Sequence, residues 1–166
     1  MNDIKNWLRE KDIKLHLKAG SELEAIWAML KLAAQNPVVR NTKLLAKSIY
    51  ANEVFNASHK GTTGITFPAL TDAVINPLMI VGQFDEGFGY YSKGKRPIDI
   101  VVFLAAPERF KEQLKDMTIC VKDMLCDCDF LENIRSTDNP AAIYQYFKDL
   151  CLKLTLKKKS IKNKTV

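Results

Sequence analysis

Residues that commonly bind transition metals are scarce in this 166-residue chain, which has only two histidines and four cysteines. A structural zinc site needs paired Cys-x-x-Cys elements or closely spaced histidines. The closest cysteines, Cys126 and Cys128, form a single Cys-x-Cys, and both His16 and His59 lie far from them in the sequence. We therefore predict no metal site and no cofactor. The cysteines are interpreted as free thiols, some of them packed in the core.

Long hydrophobic runs are also missing. Lysine and arginine interrupt every apolar stretch before it reaches the length of about 20 residues that a membrane-spanning helix needs. The first residues, Met1-Asn2-Asp3-Ile4-Lys5, lack the apolar segment of a secretory signal peptide. We therefore expect a cytoplasmic protein without a membrane span. The composition, 47% hydrophobic and 27% charged, is typical of a globular protein, and the length suits one domain.

Acidic residues are absent from residues 153–166, which contain six lysines. These lysines account for the whole net charge of +6, because the rest of the chain has equal numbers of basic and acidic residues. A basic tail on a neutral body favours a solvated, flexible segment over a nucleic-acid-binding surface. We predict a folded domain over residues 1–152 and a flexible basic tail over 153–166. Weak attraction of the tail to nucleic acid or anionic lipid is the alternative.

Hydrophobic periodicity alternates between the helical and the strand pattern along the chain. A capping box, Ser21-Glu22-Leu23-Glu24, marks the start of one helix. Helices are also predicted at 3–10, from Asn41 to Phe55, from Pro107 to Leu125, after Asp129 and from Pro140, and strands at 13–17, 64–68, 77–84 and 98–105. Helices precede, separate and follow the strands, which predicts a single layered α/β domain.

The most distinctive motif is Gly64-Ile65-Thr66-Phe67-Pro68-Ala69. It resembles the strand Gly-Ile-Ala-Ile-Pro-His of the enzyme IIA domain of the fructose/mannitol and nitrogen-regulatory class of the bacterial phosphotransferase system. Asn76-Pro77-Leu78 and the segment Gly94 to Pro107 resemble later motifs of that family in the same order. The resemblance covers residues 4–150. It implies a central mixed β-sheet with helices on both faces.

The departures from the family pattern lie at its phosphoryl site. The family's phosphoryl-acceptor histidine corresponds to Ala69, the arginine that follows it to Leu70, and a second, supporting histidine to Gln113. A glycine-rich family loop corresponds to residues 58–64, where only Ser58 and Gly64 hold their places. Such loops hold phosphate oxygens with backbone N–H groups. The resemblance therefore implies a phosphoryl site that has changed in several parts at once.

A regulatory function follows from these departures. We predict a domain that has lost phosphoryl transfer and that binds a protein partner, such as a regulated enzyme, a transporter or a phosphotransferase component, as a constitutively unphosphorylated form. The predicted binding residues are Ser58, Lys60, Gly64, Phe67, Leu70, Tyr90, Tyr91 and Arg96. A core position for one of the two tyrosines is the alternative at that pair.

His59 provides the alternative function. It is the histidine nearest the changed loop, and a histidine carrier needs one imidazole nitrogen free to attack. An active phosphocarrier with its acceptor moved to His59 is therefore the second hypothesis. A solvated loop histidine beside Lys60 is the simpler interpretation.

Overall fold

The computed structural model describes residues 3–56, 63–89 and 97–165, with the backbone alone for 52–56. Its strands are β1 (Ile13–Leu17), β2 (Gly64–Leu70), β3 (Leu78–Phe88) and β4 (Ile98–Ala106). Its α-helices are α1 (Glu22–Ala33), α2 (Thr42–Asn56), α3 (Lys111–Leu125), α4 (Cys128–Arg135) and α5 (Pro140–Lys164). Short 3-10 helices span Ile4–Asn6, Glu10–Asp12 and Glu108–Phe110. None of the helices in these described ranges is long and apolar enough to cross a membrane.

The four strands form one mixed sheet in the order β1-β3-β4-β2. The outer strands are parallel to their neighbours, β1 to β3 and β2 to β4, whereas the central pair β3 and β4 is antiparallel. Strands β2 and β4 therefore finish at one end of the sheet, called here the Leu70 end. Strands β1 and β3 finish at the other, called here the Gly64 end. The mixed sheet confirms the predicted α/β class.

Two hydrophobic clusters cover the two faces of the sheet. Helices α1 and α2 pack on one face and helices α3, α4 and α5 on the other. On the α1–α2 side, the rings of Phe67 and Phe103 pack edge to face with their centroids 5.6 Å apart. On the other side, the rings of Phe130 and Phe147 do the same with their centroids 5.0 Å apart. Full burial of each such side chain stabilises the fold by about 1.5–3 kcal/mol. Helices on both faces, as the resemblance implied, are confirmed.

One local prediction is confirmed here and two are corrected. Ser21 caps α1 by accepting a hydrogen bond from the Glu24 backbone N–H at 3.2 Å. Asp127, not Asp129, caps α4, accepting from the Phe130 N–H at 3.0 Å. Pro68 was predicted to end its strand, but β2 continues to Leu70. An edge strand is paired on one side only, so it tolerates a residue that lacks the backbone N–H.

The C-terminal lysines lie on a helix. Helix α5 continues through residue 153, where the flexible segment was predicted to begin, and ends at Lys164. No glycine or proline interrupts it after Pro140, and a helix that is already docked extends at low cost through lysine-rich sequence. Leu154 packs partly on the core, and the Lys158 ammonium lies 3.4 Å from the Asp123 carboxylate.

Candidate functional site

Ala69, the position that the resemblance matches to the family histidine, is completely buried. It lies one residue before the end of β2 and is paired in register with Ala105 of β4. Its methyl group belongs to the cluster on the α1–α2 face, together with Phe67 and Ala105. A methyl group can neither attack phosphorus nor transfer a proton. The position therefore contributes packing and no chemistry.

The other two predicted site positions, Leu70 and Gln113, lie on the opposite side of the sheet. Leu70 is half-buried and packs against the α3–α5 cluster, to which Phe110 also belongs. Gln113 is exposed on the first turn of α3. Ala69 and Leu70 are adjacent in a strand, and adjacent side chains point to opposite faces. The structure therefore separates Ala69 from Gln113 by the sheet.

Two predicted binding residues are corrected by their burial. Phe67 is only 2% exposed and packs in the core, so its side chain does not form part of a docking surface. Gly64 is also buried. A Cβ atom there would lie 2.8 Å from Cδ2 of Leu125, so glycine allows α3 to pack closely on β2. Leu70 is the predicted binding residue of β2 that keeps exposed surface.

The remaining predicted residues, Ser58, His59, Lys60, Tyr90, Tyr91 and Arg96, lie outside the described residues. The described residues that flank their segments are Thr63 before β2, Gly89 after β3 and Pro97 before β4. All three flank the Gly64 end of the sheet. Gly64 and Leu70 are six strand residues apart, or roughly 20 Å. The predicted binding residues Gly64 and Leu70 therefore lie at opposite ends of β2.

Arg109 lies at the Leu70 end and was missed by sequence analysis. Its guanidinium donates to the Ile75 carbonyl and, at 3.2 Å, to the Asn76 side-chain oxygen, and it stacks 4.9 Å from the Phe110 ring centroid. A groove of about 600 Å³ lies here. Its lining includes Trp7, Asn36, Val38, Asn76, Pro77 and Phe110 and the cationic Lys5 and Arg9. An arginine directly after Pro107-Glu108 carries no motif that would have marked it.

A hydroxyl pair holds the turn that follows β2. The Ser48 hydroxyl on α2 lies 2.9 Å from the Thr71 hydroxyl oxygen, which accepts the Ala73 backbone N–H at 3.1 Å. Asp72 is exposed in this turn. These contacts fix the chain immediately after Leu70.

Arg135 organises the Gly64 end. From α4 it donates two hydrogen bonds to the Asp99 carboxylate, at 2.5 and 3.0 Å, one to the Thr63 hydroxyl, and one to Glu132 at 2.7 Å. The Asp99 carboxylate further raises the pKa of Arg135, so the guanidinium stays charged. This arginine ties α4 to β4 and to the residue that precedes β2.

His16 is the histidine within the described residues, and it also lies at the Gly64 end. Its side chain is 55% exposed. Its Nδ1 lies 2.7 Å from Asp85 and its Nε2 lies 2.8 Å from Asp138. Hydrogen bonds to Asp85 and then Asp138 raise the pKa of His16, and the bond to His16 lowers the pKa of Asp85. Both imidazole nitrogens are therefore engaged by carboxylates.

The His16 bridge predicts a pH-dependent contribution to stability. Because the pKa of His16 is higher in the folded than in the unfolded chain, the charged imidazole stabilises the fold fully at a pH below its unfolded pKa. This stabilisation is lost as the pH rises through the folded pKa. Because the pKa of Asp85 is lower in the folded chain, its carboxylate stabilises the fold at a pH above its unfolded pKa. This stabilisation is lost as the pH falls through the folded pKa. His16→Asn, which tolerates the left-handed φ of 57° at this position, should therefore lower the melting temperature most at about pH 5–6.

Thermal unfolding of both proteins between about pH 5 and pH 9 tests this expectation. The difference between the two melting temperatures should shrink towards the alkaline end. A difference that stays constant over this range would contradict the bridge.

The comparisons with known proteins agree with this architecture. The family model described as "Phosphoenolpyruvate-dependent sugar phosphotransferase system, EIIA 2" matches residues 6–150. No curated protein matches the chain.

Solved structures of this kind are similar over most of the chain. Nitrogen regulatory protein IIA-Ntr from Neisseria meningitidis is 12% identical with a TM-score of 0.77, covering 87% of this chain and 98% of its own. IIA mannitol from Escherichia coli is 17% identical with a TM-score of 0.68, covering 84% and 98%. Its complex with phosphorylated enzyme IIB from Escherichia coli matches at 17% identity and a TM-score of 0.69, covering 84% and 96%. At such identities these structures demonstrate the shared fold. Because the family model spans most of the chain, the protein belongs to the EIIA type-2 family of the sugar phosphotransferase system.

Proposed function

We propose that this chain is a regulatory EIIA-type domain of the cytoplasm that transfers no phosphoryl group and acts by binding a protein partner. The observation that carries the proposal is the identity of residue 69. The resemblance of the Gly64–Ala69 motif implies that an alanine stands in place of the family's phosphoryl-acceptor histidine. A histidine carrier needs an imidazole nitrogen at that place. Gln113, in place of the supporting histidine, points to the same loss.

The surroundings of Ala69 support this proposal. The methyl group is fully buried, so a phosphoryl donor has no reacting atom to reach there. His16 lies on β1, the edge strand opposite β2, and both of its ring nitrogens contact carboxylates. It is therefore a poor substitute acceptor. The segment that carries His59 joins β2 at Gly64, the other end of the strand from Ala69.

The proposed partner docks at the Leu70 end of the sheet. Leu70 and Phe110 are half-buried there, and the exposed Arg109 guanidinium stacks on the Phe110 ring. Arginine and aromatic side chains are enriched in protein interfaces, and arginine is a frequent anchor there. The mannitol IIA of Escherichia coli forms a complex with phosphorylated enzyme IIB, so a relative of this fold uses a protein partner. We propose the same class of partner for this chain.

Phosphoryl transfer provides the direct test. The chain is incubated with phosphoenolpyruvate and the upstream phosphotransferase carriers, and its intact mass is measured. An intact EIIA domain serves as the positive control. We expect no acid-labile gain of one phosphoryl group, because Ala69 cannot accept it. A stoichiometric gain would overturn the proposal, and its loss in His59→Ala would establish the relocated acceptor instead.

Leu70→Asp tests the docking surface. A charge at this half-exposed position would have to be desolvated in a dry interface, at a cost of about 2–5 kcal/mol. We expect the variant to keep its fold but to lose the partner that the unaltered chain binds. Binding is measured by titration of that partner, and folding by thermal unfolding. Leu152→Asp is the matched control, because Leu152 is 58% exposed on α5. Equal binding by both variants would place the contact elsewhere.

A further inference from the structure

Two cysteines meet where α3 packs on α5, away from the Ala69 position. The sulfur of Cys120 lies 3.6 Å from the sulfur of Cys151, and the Cys120 S–H donates to it. Both side chains are buried, with 6% and 2% exposure. The other two cysteines, Cys126 and Cys128, are exposed. The buried pair thus differs from them in having a second sulfur within contact distance.

A groove reaches Cys120, whose sulfur lies 3.6 Å from the sulfur of Cys151. It has a volume of about 520 Å³ and lies between α3 and the C-terminal half of α5. Cys120 lines it, together with the apolar Ile119, Leu154 and Ile161 and the cationic Lys158, Lys159 and Lys162. A disulfide has a sulfur–sulfur distance of about 2.05 Å. The two sulfurs therefore need to approach by roughly 1.5 Å to form one.

We propose that Cys120 and Cys151 form a reversible redox pair, which a peroxide entering this groove oxidises to a disulfide that joins α3 to α5. The Cys151 thiolate attacks one peroxide oxygen and breaks the O–O bond. Cys151 becomes a sulfenic acid, and the other oxygen takes a proton and leaves as water. The Cys120 sulfur then attacks the Cys151 sulfur, and the S–O bond breaks to release a second water. Two thiols are oxidised by two electrons, and one hydrogen peroxide is reduced to two waters.

The direction of the sulfur–sulfur hydrogen bond assigns the first step to Cys151, because Cys120 is the protonated donor and Cys151 the acceptor. The hydrogen bond from Cys120 favours the charged form of Cys151 and lowers its pKa. Thr155 and the Lys158 ammonium act in the same direction, and burial and the Asp3 carboxylate oppose them. The same sulfur–sulfur bond and burial raise the pKa of Cys120. Cys151 is therefore the better nucleophile, and Cys120 is the thiol that resolves the sulfenic acid.

The disulfide would fasten α5 to the helix that supports β2. Helix α3 packs on β2 through Leu125, which lies against Gly64. The two cysteines are 31 residues apart in the sequence, so the bond closes a long loop in the unfolded chain. Restricting that loop stabilises the folded state. We expect the oxidised protein to melt roughly 5–15 °C higher than the reduced protein.

The test uses the full chain with Cys126→Ser and Cys128→Ser, which leaves only the buried pair. After treatment with hydrogen peroxide we expect the intact mass to fall by two hydrogens, and both thiols to resist alkylation in denaturant. A peptide linking Cys120 to Cys151 should appear in a non-reducing digest. Dithiothreitol should restore the thiols and the lower melting temperature. Retention of two alkylatable thiols, or oxidation that adds oxygen without a linkage, would overturn the proposal.

Single-cysteine variants in this background test the order of the steps. Cys120→Ser should accumulate a sulfenic acid at Cys151, which dimedone traps, because the resolving thiol is missing. Cys151→Ser should react with dimedone after peroxide treatment at least about tenfold more slowly. Equal trapping in both variants would refute the assignment of Cys151. The experiment that detects the Cys120–Cys151 disulfide uses the chain with both cysteines present, so it does not depend on whether these single-cysteine variants fold.

Discussion

Replacement of Ala69 by histidine is expected to leave phosphoryl transfer far below the rate of an intact EIIA domain. Ala69 has no exposed surface and packs with Phe67 and Ala105 on the α1–α2 face. An imidazole in place of a methyl group overpacks this cluster, which costs typically about 1–3 kcal/mol, and it buries polar nitrogens. The imidazole ring must either strain the packing of this cluster or displace the backbone of β2. Catalysis depends on placement of the nucleophile, so either response suppresses transfer.

Ala69→His is measured for stability by thermal unfolding and for transfer by the rate of phosphorylation from the upstream carrier. Ala69→Asn is the matched control, because it overpacks the same site without an imidazole. We expect both variants to melt several degrees lower than the parent chain, as a loss of about 1–3 kcal/mol implies. A histidine variant with unchanged stability and a transfer rate typical of an intact domain would show that the site had kept its geometry.

Arg135→Ala is expected to be the most damaging change at the Gly64 end of the sheet. The side chains of Arg135 and Asp99 are only 22% and 18% exposed, and their two hydrogen bonds hold α4 to the start of β4. Removing the guanidinium leaves the Asp99 carboxylate and the Thr63 hydroxyl without this partner. Partly buried charges left in this way destabilise a protein by about 2–4 kcal/mol. For a chain of this length the melting temperature should fall by roughly 5–15 °C.

Glu132→Ala is the control for this variant. Glu132 also binds Arg135, but its side chain is 63% exposed, and exposed ion pairs contribute at most about 1 kcal/mol. Urea denaturation gives the free energy of unfolding of Arg135→Ala and Glu132→Ala. The same measurement on Asp99→Asn, alone and combined with Arg135→Ala, separates the interaction energy of the Arg135–Asp99 pair from the other contacts of Arg135. Similar small losses in all variants would contradict a structural role for Arg135.

Elements whose signals are local were predictable from the sequence. The alternation of Ile13 and Leu17 with polar neighbours predicted β1, and Ser21 with Glu24 predicted the start of α1. A strand side or a helix cap depends on residues two to four positions apart, which the sequence displays directly. The order of these elements, with the Gly64–Ala69 motif, was sufficient for the α/β class and the family.

Packing partners could not be predicted in the same way. Trp27 belongs to the apolar pattern of α1, yet it is 54% exposed, because the sheet covers only the side of the helix that carries Ile26 and Met29. Phe67 was predicted at a docking surface and is buried against Phe103. Which apolar side chains meet across the sheet depends on strand order, and strand order is set by contacts between residues far apart in the chain.

The sequence by itself determined the family, the class of fold and the absence of a nucleophile at residue 69, because each depends on the identity or local order of residues. The tertiary structure decided where these residues lie. It buried Ala69 on one face of the sheet and placed Gln113 on the other. It also brought together Cys120 with Cys151 and His16 with Asp138, pairs that are separated by 31 and 122 residues. Such meetings follow from the mixed strand order β1-β3-β4-β2 and from the helices packed on each face, which no local pattern encodes.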